Sequence, residues 1–440
     1  MEWFADQPLA VTLALSVGTL LVLLALGMEI GLALLAVGFL DIALFSSRPA
    51  GDAMATTIWS SLTAWPLIPL PLFIWMGEIL YESRVAAALF GALAPWLERV
   101  PGRLLQVNVA ACGIFAAISG SSAATCATIG RITLPELRRR DYPERMAVGT
   151  LAGSATLGLL MPPSIIMIVY GVAADVSISK LFVAGIVPAL ALTAILMGYV
   201  AAWAFLHRDR IPREGERIRG RELLRRSLQI VPPVLLIVFV LGSIYAGYAT
   251  PTQSAALGVA GALAIAFARG GFGWDGFRRS LRSAARTSSM VLLILAGSSC
   301  LSLAMGFTGI PRELAAWVGG MGLSQAELLL ALTALFLVMG CFLDGISLVL
   351  LTMAVLLPVI TQAGFDLLWF GIYIVIVTEI AQITPPVGFN LFVIQGLAKR
   401  DIGFVSRAAA MPFLLILSTL WLIYAFPGLV TWLPETMAGR

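Results

Sequence analysis

The chain has 440 residues, 60% of them hydrophobic and only 12% charged, with a mean hydropathy of +0.96. A soluble domain is nearer half apolar and about a quarter charged, so lipid must be the solvent for most of this surface. The formal net charge of +4 is carried by arginine, with Lys180 and Lys399 the only lysines, and it is gathered into clusters that each abut an apolar run; such clusters set membrane topology and argue against nucleic acid as a partner.

A span takes roughly 20 apolar residues, which leaves room for about ten to a dozen crossings. The alternating ten-residue pattern of an outer-membrane barrel is missing. Met1 to Leu9 carries Glu2 and Asp6 but no Lys or Arg, and so lacks the basic region of a cleaved signal peptide. Leu9 to Phe45 reads as two helices broken near Gly27-Met28-Glu29. Thr63 to Leu80 follows, with Trp65-Pro66 and Pro69-Leu70-Pro71 marking the interface, and Val85 to Leu97 is a shorter amphipathic arm. Leu104 to Leu137 breaks at Ser119-Gly120-Ser121-Ser122 and has arginines at both ends, Arg99 and Arg103 before it and Arg138 to Arg140 after it. Both ends on one side make it a re-entrant hairpin. Ala147 to Val172 is interrupted at Met161-Pro162-Pro163-Ser164, because proline cannot donate to the helix ladder and disfavours α geometry in the residue before it. Leu181 to Leu206 crosses to a loop, His207 to Arg226, that holds eight arginines. Ile230 to Tyr245 and Ala255 to Ala268 pair across a short turn, Arg269 to Arg286 is a cytoplasmic amphipathic stretch, and Met290 to Phe307 crosses again. Leu328 to Thr361 breaks near Asp344-Gly345, Leu367 to Leu397 is interrupted at Thr384-Pro385-Pro386, and Phe404 to Phe426 is last. The four cysteines lie in apolar runs without metal-type spacing and read as small core residues.

The two halves repeat. Pro162-Pro163 and Pro385-Pro386 stand 223 residues apart, as do Leu134-Pro135 and Leu357-Pro358, and the same offset carries Ser121-Ser122 onto Asp344-Gly345. Arginines flank the first hairpin, whereas Ser324 to Glu327 and Gln362 to Asp366, which flank the second, contain no Lys or Arg. The copies are therefore inverted, and interrupted helices at matching places in inverted repeats point to a transporter binding site. The expected fold is an all-α polytopic membrane protein with two re-entrant hairpins and two helices broken at Pro-Pro. It divides into an N-terminal part (1–100), a first repeat (101–206), an arginine-rich loop (207–229), a second set of helices and arm (230–323), a second repeat (324–426) and a tail (427–440).

Non-helical backbone at membrane depth occurs only where it is buried in protein or lines a cavity. A broken helix frees carbonyls, which suit Na⁺, at the end of its first half and N–H groups, which suit a carboxylate, at the start of its second. Leu159, Leu160, Met161 and Pro162 offer the first set in one copy, and Gln382, Thr384 and Pro385 in the other. Pro163-Ser164 and Pro386, Val387 and Gly388 begin the second halves. At the hairpin tips Ser119, Ser121 and Ser122 bring hydroxyls, Gly120 permits the tight turn, and Asp344-Gly345 brings an intramembrane carboxylate, a functional candidate by its cost and equally a cap for the hairpin tip. Thr125 and Asn390, one turn beyond, complete the polar set expected to meet solute. Small residues also serve helix packing; Glu379 reads as a structural hydrogen-bond partner, and Arg131 as a side chain that reaches the cytoplasmic interface.

Three stretches resemble the large membrane subunit of tripartite ATP-independent periplasmic (TRAP) transporters: Ile118-Ser-Gly-Ser-Ser-Ala-Ala-Thr-Cys-Ala-Thr-Ile-Gly130, Leu157-Gly-Leu-Leu-Met-Pro-Pro-Ser-Ile-Ile-Met-Ile-Val-Tyr-Gly171 and Thr384-Pro-Pro-Val-Gly-Phe-Asn-Leu-Phe392. The resemblance implies a multi-pass protein of a bacterial inner membrane, an elevator-type movement and coupling to sodium. It implies as partners a small four-helix membrane subunit, a periplasmic solute-binding protein and an organic-acid solute. It maps sodium sites onto Ser119 to Ser122 with the first Pro-Pro break, and onto Asp344-Gly345 with Thr384-Pro385-Pro386. Glu29, Ala381 and Arg131 depart from the family's usual pattern.

A stand-alone Na⁺ or H⁺/dicarboxylate symporter of related fold is the alternative. An enzyme is not expected. A membrane serine nucleophile needs a His base, the single histidine, His207, lies in the arginine loop, and HExxH and Walker A motifs are both missing.

Overall fold

The computed structural model describes residues 9–46, 49–83, 85–212, 220–270, 272–385 and 388–438, and among them all regular structure is helical. Helices α1 (Leu9–Ala25) and α2 (Ile30–Phe45) are separated at the expected Gly27 break, where Gly27 takes a positive φ of 80°. Then come α3 (Ala50–Leu62), α4 (Pro69–Glu82) and the arm α5 (Val85–Leu97). The first hairpin is α6 (Leu104–Ser119) and α7 (Ser122–Arg139); the first broken helix is α8 (Glu144–Ala155) with the single turn α9 (Leu157–Leu160), then α10 (Ile165–Ala173). Next are α11 (Ile178–Leu206), the short α12 (Arg221–Leu228), α13 (Val231–Tyr245), α14 (Pro251–Arg269), α15 (Trp274–Thr308) and α16 (Ile310–Gly320). The second hairpin is α17 (Gln325–Met339) and α18 (Gly345–Gln362), the second broken helix α19 (Leu367–Gln382) and α20 (Phe389–Ala398), and α21 (Ile402–Ala425) and α22 (Gly428–Ala438) close the chain.

Among the described residues six helices are long and apolar enough to cross a membrane, or eight if each bent pair is one span. This is fewer than the ten to a dozen that composition allows. The reason is that much of the apolar sequence sits in shorter helices of 10–17 residues, several of them hairpin legs and half-helices. At 1.5 Å per residue these reach at most about 25 Å, short of a core about 30 Å thick.

The 223-residue offset aligns far more than the proline landmarks. Shifted by it, α7 becomes 345–362, the bounds of α18, and the arm α5 becomes 308–320, matching α16. Helices α3 and α4 together become 273–305, which is α15. In the first copy this stretch is bent by 53° across Trp65–Leu67, where Pro66, Pro69 and Pro71 interrupt the ladder. The second copy has no proline between Trp274 and Thr308 and runs as one 35-residue helix. From Trp274 onward the amphipathic stretch to Arg286 and the Met290 to Phe307 crossing are therefore not separate elements: the change from arginine-rich to apolar marks where one continuous helix enters lipid. Four helices were not expected: α3 and α16, which each mix polar and apolar residues, α12 within the arginine-rich loop, and α22 in the tail.

Packing is reciprocal between the copies. Helix α2 packs on α15, and its counterpart α14 packs on α4. Small residues bring these backbones together: a Cβ on Gly297 would lie 2.5 Å from the Gly31 carbonyl, and one on Gly258 2.7 Å from the Met76 sulfur. Likewise α7 packs on α20 and α10 on α18. The hairpins differ in one respect. Legs α6 and α7 pack together, whereas α18 packs against α16 and α15 rather than against α17.

Candidate functional site

Two hairpin tips and two broken helices meet in the middle of the molecule. Gly120 ends α6 in the left-handed region, at φ 59°, and a Cβ there would lie 2.8 Å from the Pro163 carbonyl. The Gly120 carbonyl accepts a hydrogen bond from the Ile165 N–H at 3.4 Å. The first tip is thus seated on the start of α10, and only glycine fits. Beneath it Ser119 Oγ is 2.8 Å from Thr125 Oγ1, Thr125 Oγ1 donates to the Ser121 carbonyl at 2.8 Å, and Ser121 caps α7 by accepting from the Ala124 N–H at 3.4 Å. Pro162 and Pro163 have no N–H, so the carbonyls of Gly158 and Leu159 lack the donors that a continuous helix would give them. The Pro162-Pro163 peptide bond is cis.

At the second tip Asp344 is the N-cap of α18. Its carboxylate accepts from the Ile346 N–H at 3.1 Å, the Ser347 N–H at 3.4 Å and the Ser347 hydroxyl. Gly345 follows against α19, where a Cβ would lie 2.6 Å from Gln382 Nε2 and 2.8 Å from Thr378 Cγ2.

The repeats are joined across the centre by two polar contacts. Ser122 Oγ donates to Gln382 Oε1 at 3.0 Å, and the Leu159 N–H donates to Glu379 Oε1 at 2.9 Å. The Leu159 N–H is free for this because the break at Thr156 ends α8 one turn earlier. Glu379, expected as a structural hydrogen-bond partner, is buried and makes that contact, but its second oxygen has no partner among the described residues. The same holds for Thr378 Oγ1, Thr128 Oγ1, Ser164 Oγ and both side-chain amide atoms of Asn390, all buried.

These elements enclose a cavity of about 600 Å³. Ser119, Ser121, Ser122 and Thr128 line it from the first hairpin, Asp344 and Gly345 from the second, and Leu159, Ile165, Gln382 and Phe389 from the broken helices. The opposite wall comes from outside both hairpins: Glu78 and Tyr81 on α4, and Ser283 and Thr287 on the matching α15. Sequence reasoning missed this wall. Its trace was an intramembrane carboxylate at Glu78, and hydroxyls one turn apart at 283 and 287 in an otherwise apolar-to-arginine transition.

Several expected site residues stand elsewhere. Leu160, Met161, Pro162 and Pro163 do not line the cavity, and Leu159 takes that place; the Leu160 carbonyl faces α11, where a Cβ on Gly185 would lie 3.0 Å from it. Thr384 Oγ1 turns back to the Ile380 carbonyl at 2.7 Å, and the exposed Pro385 offers its carbonyl to Cys341 Sγ at 3.6 Å. Thr125 lies behind the first tip, and Ser164, Gly388 and Asn390 are buried beside the cavity without lining it. Pro386 and Val387 lie outside the described residues. Arg131 continues the α7 face that carries Ala124, Ala127 and Thr128, and donates to Tyr81 Oη at 3.4 Å.

The family described as tripartite ATP-independent periplasmic transporter, DctM component, matches residues 17–429. The chain belongs to this family. It is 32% identical over 394 residues to the C4-dicarboxylate TRAP transporter large permease protein DctM of Pseudomonas aeruginosa, covering 88% of this chain and 90% of that protein. It is also 32% identical over 434 residues to the protein of the same name from Rhodobacter capsulatus, covering 95% and 96%. Among solved structures, the Alcanivorax borkumensis YdaH transporter superposes with a TM-score of 0.62 over 90% of this chain and 98% of that one, at 14% identity. That likeness is one of fold. This DctM-family chain is a transport protein rather than an enzyme, and a multi-pass protein of the inner membrane.

Proposed function

We propose that this chain is the transport subunit of a sodium-coupled, binding-protein-dependent uptake system for an organic acid. The observation that carries the proposal is the cavity walled on one side by both hairpin tips and both broken helices, and on the other by α4 and α15. If the hairpins and broken helices move as a block past α4 and α15, as in an elevator, that cavity travels with them. The Ser122–Gln382 and Glu379–Leu159 contacts lie within the block and keep it rigid.

The donor set fits sodium. It consists of hydroxyls, carbonyls freed by Pro-Pro, and the Asp344 carboxylate at the second tip, together with buried oxygens that lack partners at Thr378 and Glu379. Ser119 to Ser122 with the first break would hold one ion, and Asp344-Gly345 with Gln382 a second. Bound sodium supplies positive charge beside a solute carboxylate. The protein's own part is to position that solute between the tips and the α4–α15 wall and to exclude water. The P. aeruginosa and R. capsulatus relatives are named for C4-dicarboxylates, and a 31% identical Oleidesulfovibrio alaskensis protein for isethionate; both solute classes are organic anions. This chain covers 59% of the Oleidesulfovibrio protein, DctMQ, which leaves room there for a second membrane subunit. A small membrane subunit and a periplasmic binding protein are accordingly the proposed partners.

Thermal stability of the purified chain in NaCl, KCl and choline chloride is the direct test, because it does not require the solute. An ion held only by the folded state adds about 2.7 kcal/mol at a hundredfold excess over its dissociation constant. A rise confined to NaCl is expected; equal stability in the three salts overturns sodium coupling. Uptake of labelled succinate into vesicles by the chain alone, without binding protein or small subunit, would instead make it a stand-alone symporter.

A further inference from the structure

A second cavity, of about 510 Å³, lies away from the transport site between the C-terminal end of the arm α5 and the C-terminal end of α11. It is lined by three arginines, Arg99, Arg103 and Arg208, against one carboxylate, Glu98. Among the described residues none of these arginines forms an ion pair, whereas Arg138 and Arg400 share Glu144, Arg139 and Arg140 share Glu136, and Arg279 pairs with Glu82.

The cavity is built rather than incidental. The loop Val100 to Arg103 is clamped by buried Gln106, whose Nε2 donates to the Pro101 carbonyl at 2.9 Å and to the Met197 carbonyl on α11 at 3.0 Å. Gly102 and Arg103 both take positive φ, 98° and 48°, a conformation that costs a non-glycine residue energy and is held only where the surroundings enforce it. That turn brings the Arg103 guanidinium to the Pro212 carbonyl at 2.7 Å, while Arg208 lies over the Phe205 ring at 5.2 Å. Phe205, in the lining, exposes 55% of its surface, and Leu206 beside it on α11 and Trp96 near the end of the arm expose 80% and 58%, an apolar collar at the ends of the two helices suited to acyl chains. The arginine-rich segment after α11 puts this end at the cytoplasmic leaflet.

We infer that this cavity binds the phosphodiester headgroup of an anionic phospholipid, with Arg99, Arg103 and Arg208 as its ligands and the collar holding the chains. Basic pockets between membrane helices on the cytoplasmic side take such headgroups, and each basic residue near the surface contributes about 1 kcal/mol. A headgroup here ties α5 to α11, the helix that follows the first broken helix, and so anchors the arm in the leaflet.

The test uses the full chain in detergent, with phosphatidylglycerol, phosphatidylethanolamine and inorganic phosphate titrated separately and bound lipid read by native mass spectrometry. Phosphatidylglycerol should bind well above phosphatidylethanolamine, and phosphate should not compete at equal concentration. Removing two guanidiniums in R99Q/R208Q should weaken phosphatidylglycerol about thirtyfold; Arg103 is left in place because it supports the loop. The control R221Q/R225Q, which removes the same charge from the neighbouring α12, should stay within about threefold of the parent. Equal loss in the control, no preference for phosphatidylglycerol, or full competition by phosphate would each overturn the lipid site. Unchanged lipid binding in R99Q/R208Q with loss of small-subunit association would overturn it in favour of a protein interface.

Discussion

Gly158 is where the two parts of the first repeat come closest. A Cβ at this position would lie 2.4 Å from both Ser122 Cα and Ser122 N, and 2.6 Å from Ser121 C. All three are backbone atoms, so no rotamer change relieves the contact. Non-bonded carbons prefer about 3.5–4.0 Å, and Gly158→Ala must therefore push the hairpin tip back by about an ångström. The Ser122 Oγ–Gln382 Oε1 bond, already 3.0 Å long, then leaves hydrogen-bonding range. Forced overpacking costs typically 1–3 kcal/mol, and replacing glycine within a helical turn returns at most about 1 kcal/mol. The expected net loss is about 1–2 kcal/mol in the thermal unfolding of the purified chain, together with loss of most of the sodium-dependent increment. Gly198→Ala is the matched control: it lies within α11 with open space around it, so only the propensity gain operates and the variant should be neutral or slightly more stable. If Gly158→Ala matched Gly198→Ala in stability and kept its full sodium response, the seating of the tip on the broken helix would be wrong.

Three further outcomes follow from single contacts. Glu379→Ala leaves the buried Leu159 N–H without an acceptor, at a cost of about 1–3 kcal/mol, whereas Glu379→Gln keeps an oxygen there; thermal unfolding should rank alanine well below glutamine, and equal values would remove the inter-repeat contact. Asp344→Ala should lose about 1 kcal/mol of N-cap stabilisation and Asp344→Ser should recover most of it, so a sodium response lost in both variants separates ion binding from capping. Glu144→Gln weakens partly exposed ion pairs to Arg138 and Arg400 and should change stability by under about 1 kcal/mol, with a larger effect pointing to a network role for these charges.

What could be read from the sequence depended on covalent constraint. Proline carries its own structural consequence, so the breaks at Met161 to Ser164 and after Gln382 stood out without coordinates, as did the 223-residue offset they define. Charge placement similarly marked the first hairpin. Side-chain direction was not legible. Leu160 and Leu159 both present carbonyls at a break, and only packing against Gly185 decides that the Leu160 oxygen turns away while Leu159 lines the cavity. Thr384 looked like a cation ligand by position, yet a threonine near a helix end can bond the carbonyl four residues back, and it does. The α4–α15 wall was hidden for another reason: its residues lie far from the hairpins in sequence, and nothing local to Glu78, Ser283 or Thr287 says which cavity they face.

The same offset explains how a repeat of low identity makes one asymmetric site. Ser122 corresponds to Gly345, and Leu159 to Gln382. In one direction the first tip meets the second broken helix as Ser122 on Gln382, a hydrogen bond of 3.0 Å. In the other, the second tip meets the first broken helix as Gly345 on Leu159, where a Cβ would lie 3.4 Å from Leu159 Cδ1. These are the same crossing seen from its two ends, as a two-fold relation between repeats requires, but one end is polar and the other apolar. Glu379 breaks the symmetry further, because its counterpart is Thr156, whose hydroxyl bonds its own helix at the Gly153 carbonyl. A buried carboxylate is thus present on one side of the centre only, the side where Thr378 and Glu379 oxygens are left without partners. If the two proposed cation sites differ in affinity, this asymmetry places the difference at α19, and Glu379→Gln should move one sodium-binding phase while leaving the phase that responds to Ser122→Ala in place.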